Sequence, residues 1–177
     1  MNKESKPERK EQEGKQQFRA GKYAAAAASY RSAAAGYQEG GEGLKAAEMR
    51  SNQSVALLQA GDVEGAWEVV RGIDQIFAEE GDIQRQAVTL SNQAAVLDGL
   101  GRRTEAAERY RRAGDLFAEC GEGEKRRQVM QALSSLQLKS WKPLSALSSM
   151  ANGLEGLQNP TFFQRILKKI LNIPFNV

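Results

Sequence analysis

Apolar and small residues recur along the chain with the spacing of helical faces, and glycines at fixed intervals separate the stretches that carry them. Gly21, Gly61 and Gly101 lie 40 residues apart, and Gly41, Gly81 and Gly121 keep the same period. Superimposing units on these glycines also superimposes Ala26, Ala66 and Ala106, then Tyr30, Val70 and Tyr110, then Tyr37, Phe77 and Phe117. Side-chain size therefore repeats together with the turns. A period of roughly 20 to 50 residues marks an array in which each unit covers its apolar face only against its neighbours.

The pattern predicts an all-α chain of helical hairpins. Residues 1–6 are polar and expected to be disordered. Pro7 suits a first helical turn, and a helix is expected from there to about Arg19, followed by an alanine-rich partner from Tyr23 to Gln38. Gly40 and Gly41 should end that partner in a left-handed turn. Leu44 to Ala60 with Val63 to Glu79, then Ile83 to Leu100 with Thr104 to Glu119, repeat the arrangement. A fourth first helix is expected over Glu124 to Lys139, with a degenerate partner over Leu144 to Leu157. The repeats are thus 7–41, 44–81, 83–121 and 124–157, with an amphipathic helix and tail over 159–177.

That tail is the most lopsided segment in the chain. Phe162, Phe163, Ile166, Leu167, Ile170 and Leu171 share one half of a helical wheel, while Arg165, Lys168 and Lys169 share the other. Burial of five such side chains is worth on the order of 10 kcal/mol before ordering entropy is subtracted, so the apolar face needs a cover. Three covers compete: the last repeat, which is favoured; a groove of this chain or of another copy, giving self-association; and a membrane surface, which is possible but not favoured.

Composition narrows the function. The 177 residues are 41% hydrophobic and 27% charged, as in a soluble globular protein. The net charge of +3 is spread among acidic residues, which argues against nucleic acid as a partner. One cysteine, no apolar run of spanning length and a charged start at residues 1–12 lead to the expectation of a cytoplasmic protein. The chain has no histidine, which removes the commonest general base and metal ligand. Cys120 stands beside a helix-ending glycine, where the helix dipole disfavours a thiolate. Glu105 and Glu108 have arginine neighbours and read as a solvated face, and the glycine-rich pieces near Gly41 and Gly121 lack a phosphate-loop lysine. No catalytic residue, metal site or cofactor is expected.

Helix, glycine turn and helix, with Ala66 and Ala106 and an aromatic near the second helix end, resembles the tetratricopeptide repeat. Its turn motif stands here as Gly21-Lys22-Tyr23 with Ala26, Gly61-Asp62-Val63 with Ala66, and Gly101-Arg102-Arg103 with Ala106. The resemblance covers about Pro7 to Leu138, and the long period looks like the family's longer-helix variants. It implies a right-handed superhelical solenoid whose first helices line a concave groove for a peptide or helix of a partner protein.

The tetrapeptides at Ser51-Asn52-Gln53-Ser54 and Ser91-Asn92-Gln93-Ala94 recur one period apart on first helices. The resemblance places Asn52 and Asn92 on the concave wall, where a carboxamide can serve a bound backbone as donor and acceptor. Gln53, Gln93 and Arg50 complete the expected groove. The alternative is that these side chains hold helices together or face water. A chaperone-tail clamp is not expected, because Glu11, Lys15, Val88 and Asn92 stand where that subclass places its lysines, asparagine and arginine.

Overall fold

The computed structural model describes residues 5–140. Helix α1 (Lys6–Arg19) opens on a reciprocal cap: Glu8 N–H donates to Ser5 Oγ, and Ser5 N–H donates to Glu8 Oε2 at 2.8 Å. Ser5 and Lys6 are therefore structured, contrary to the disorder expected through residue 6, because the serine side chain satisfies a donor that the first turn leaves open. Then follow α2 (Tyr23–Glu39), α3 (Gly43–Ala60), α4 (Val63–Val70), α5 (Ile73–Glu79), α6 (Ile83–Gly99), α7 (Arg103–Glu119) and α8 (Gly123–Ser140).

Six junctions share one geometry. Gly21, Gly41, Gly61, Gly81, Gly101 and Gly121 all adopt positive φ, from +68° to +88°. At each, the residue after the glycine donates its N–H five residues back, as Asp62 does to the Leu57 carbonyl at 3.0 Å, while the glycine itself donates three residues back. These paired bonds close the helix ends. No atom lies within 4 Å of where a Cβ would sit at these glycines, so backbone conformation and not space calls for glycine.

Consecutive helices thereby fold back as hairpins, and packing between neighbours buries the repeated positions. Ala26, Ala66 and Ala106 are each fully buried, and Tyr37, Phe77 and Phe117 are nearly so. Size is traded locally within the repeat. A Cβ on Gly14 would lie 2.9 Å from the Tyr30 ring, whereas the equivalent Ser54 belongs to the repeat that carries the smaller Val70.

The middle hairpin departs from the expected continuous helix over Val63 to Glu79. Its second helix breaks at Arg71 (φ −61°, ψ 131°) and Gly72 (φ +77°), giving α4 and α5. Arg31-Ser32 and Arg111-Arg112 occupy the same repeat positions inside the unbroken α2 and α7. The halves divide the packing: α4 lies mainly on α3, and α5 mainly on α6.

Helix α8 falls on the stretch expected for a fourth first helix. Val129, Leu133 and Leu136 are buried, whereas Arg127, Met130, Ser134 and Gln137 are exposed. Their counterparts in α6, Ala87, Leu90, Ala94 and Leu97, are all buried. The expected partner over Leu144 to Leu157 and the amphipathic helix carrying Phe162, Phe163, Ile166, Leu167, Ile170 and Leu171 lie outside the described residues. Among the described residues no helix is long and apolar enough to cross a membrane.

Candidate interaction cleft

Neighbouring first helices α3 and α6 bound a cleft of about 390 Å³. Glu48 and Asn52 line it from α3, Arg85 and Val88 from α6, Asp82 from the turn before α6, and Phe77 from the end of α5. Sequence periodicity brings these groups together: residues 48 and 52 are one helical turn apart on a face, as are 85 and 88.

Arg85 is the hub of the charged edge. Its backbone N–H donates to Asp82 Oδ1 at 2.9 Å, its Nε donates to Asp82 Oδ2 at 2.7 Å, and Nη2 reaches the same oxygen at 2.5 Å. Nη1 meets Glu48 Oε2 only at 3.4 Å, and the guanidinium lies 5.3 Å from the centre of the Phe77 ring. Burial disfavours the charged form of Asp82, but the Arg85 backbone and guanidinium bonds outweigh it and hold the carboxyl below its ordinary range. Asp82 is thus both a helix cap and the anchor of Arg85.

The two asparagines differ. Asn92 Nδ2 donates to Ser51 Oγ at 3.0 Å, which also lies 3.4 Å from Thr89 Oγ1, so this carboxamide ties α6 to α3. Asn52 lines the cleft half-buried, and its side chain makes no hydrogen bond among the described residues. Arg50 is exposed on α3 and does not line the cleft.

Gln53 and Gln93 belong to the interior, not to an open groove. Gln53 is 8% exposed and Gln93 1%. Each follows its asparagine by one residue, a rotation of about 100° that turns it away from the neighbouring asparagine's face. Gln93 Nε2 donates to the Val70 carbonyl at 2.9 Å and to Asp74 Oδ1 at 2.6 Å. Arg109 Nη1 reaches the other Asp74 oxygen at 3.4 Å. The carbonyl freed at the α4–α5 break is thereby served by a side chain from the next repeat, as a buried acceptor requires. Gln93 Oε1 stays buried without a partner among the described residues.

In the first repeat, Glu11 accepts from Tyr37 Oη at 2.7 Å and from Lys15 Nζ at 2.5 Å. The residues at two clamp positions thus engage each other. Glu105 is bound by Arg102, whose guanidinium lies over Trp67, and Cys120 is exposed. No cluster of three or more metal-ligating side chains occurs among the described residues. Sequence reasoning did not assign Glu48, Phe77, Asp82 or Arg85 to a site; the available signal was an aspartate directly after the turn glycine with a cation three residues on.

No protein-family model matches the chain, and no curated protein or solved structure is significantly similar to it. The described part is an all-helical protein of seven helices, one of them broken into α4 and α5, packed as successive hairpins.

Proposed function

We propose that this chain is a non-catalytic adaptor, a tetratricopeptide-like right-handed solenoid that holds an extended segment or helix of a partner protein against its first helices. The observation that carries the reading is the Asn52 carboxamide, without a hydrogen-bond partner among the described residues, in the α3–α6 cleft between Val88 and the charged edge of Glu48, Asp82 and Arg85. A half-buried amide with an open donor and acceptor gains more from a bound backbone than from the partial hydration it gives up. The repeat period and the six like turns support the solenoid, and the absence of histidine supports a binding role over a catalytic one. Affinity capture with the wild-type protein and with Asn52→Ala tests this. The expected result is a partner retained by the first and released by the second at equal melting temperature; retention by both overturns the assignment of the cleft.

A second reading, peripheral membrane association, rests on the segregation of Phe162, Phe163 and Ile166 from Arg165, Lys168 and Lys169 in the sequence. Flotation of the full chain with anionic vesicles, abolished by Phe162→Ser with Phe163→Ser, is its expected result.

A further inference from the structure

We infer that the cleft selects a segment carrying a lysine or arginine, held by Glu48 and Asn52. The inference rests on the proposed binding role of the cleft and adds the chemistry of its occupant. Two carboxylates face one guanidinium there, so the cleft is locally acidic in a chain whose net charge is +3. Those carboxylates are not equally committed. Both Asp82 oxygens are occupied, one by the Arg85 backbone and the other by its guanidinium fork. Glu48 has a single partner among the described residues, Arg85 Nη1 at 3.4 Å, the long limit of a hydrogen bond, and its side chain is 42% exposed.

Glu48 and Asn52 lie at i and i+4 on α3, which brings their side chains within roughly 5–6 Å of each other at Cβ. Together they present the free Glu48 Oε1 and the Asn52 carboxamide oxygen, two acceptors that match an ammonium or guanidinium head. The methylene stem of such a side chain needs apolar cover, and Val88 supplies it from the opposite wall. An anionic group would meet Glu48 and Asp82 and find the Arg85 fork already taken. A purely apolar group would strip water from Glu48 and return no hydrogen bond.

Random peptides displayed on phage and selected on the full-length protein provide the test, with the enriched peptides then synthesised and measured by fluorescence anisotropy. The expected result is a lysine or arginine in each binder. Replacing it by norleucine, or Glu48 by glutamine, should each weaken binding about tenfold, and the two changes together should weaken it little more than either alone. Glu48→Lys should select acidic residues instead. Peptides that lose binding with Asn52→Ala but are indifferent to norleucine and to Glu48→Gln overturn the basic preference and leave the cleft as the binding site. Peptides indifferent to Asn52→Ala as well, or no enriched peptide at all, overturn both.

Discussion

Ser51-Asn52-Gln53 on α3 and Ser91-Asn92-Gln93 on α6 are the same three residues at the same repeat position, yet they are engaged differently. Ser51 accepts from Asn92, whereas Ser91 Oγ donates to its own helix at the Val88 carbonyl. Asn92 finds Ser51 one repeat earlier. For Asn52 the residue at that place is Glu11, already engaged by Tyr37 and Lys15. Gln93 reaches a carbonyl released by the α4–α5 break and the buried Asp74. Gln53 follows the unbroken α2, where Tyr30 and Ala34 stand at those positions. A side chain's role in a repeat protein is therefore set by the preceding unit as much as by its own sequence.

The largest test of this difference is Gln93→Ala against Gln53→Ala. The first strips a donor from Asp74 and from the Val70 carbonyl and leaves a cavity, so a loss of about 3 kcal/mol is expected, against about 1 kcal/mol for the second. Urea unfolding at equal m-values measures both, and equal losses would erase the distinction. Next in size is Gly72→Ala. Alanine at φ +77° is strained, and a loss of about 1 kcal/mol is expected, whereas glycine to alanine inside an ordinary helix gains about that much. A gain would mean that α4 and α5 had joined into one helix.

Asn92→Ala should cost about 1 kcal/mol of stability, the net worth of its bond to Ser51, and leave partner affinity unchanged. Asn52→Ala should do the reverse, with the melting temperature held and partner affinity reduced three- to tenfold. Exchanged outcomes would assign the open carboxamide to the wrong asparagine.

The smallest effect concerns the pair that leaves Asn52 without its counterpart. Burial works against a charged Glu11, but bonds from Lys15 and the Tyr37 hydroxyl outweigh it and place the carboxyl below its ordinary 4.5. A carboxyl with a depressed folded-state pKa adds stability above its ordinary value and loses it as pH falls through the folded one. Tyr37→Phe should therefore flatten the decline in stability below pH 4.5, a modest change because Glu11 is only half-buried. An identical acid profile would show that the hydroxyl does not tune Glu11.

Periodicity alone carried the helices and their turns, because apolar spacing and a glycine at positive φ are local demands that any neighbour must respect. That Asn52 should stand on an open wall came from the resemblance and not from the periodicity, and in the structure Asn52 lines the α3–α6 cleft. Periodicity did not reveal the break at Gly72, since that glycine stands inside an apolar pattern indistinguishable from that of α2 and α7. Nor did it separate Asn52 from Asn92, or place Gln53 and Gln93 in the interior. The sequence by itself determined which residues share a face and where the chain reverses. Only the tertiary structure decided which polar groups find partners, because hydrogen bonds are short and directional and the groups that make them lie a whole repeat apart.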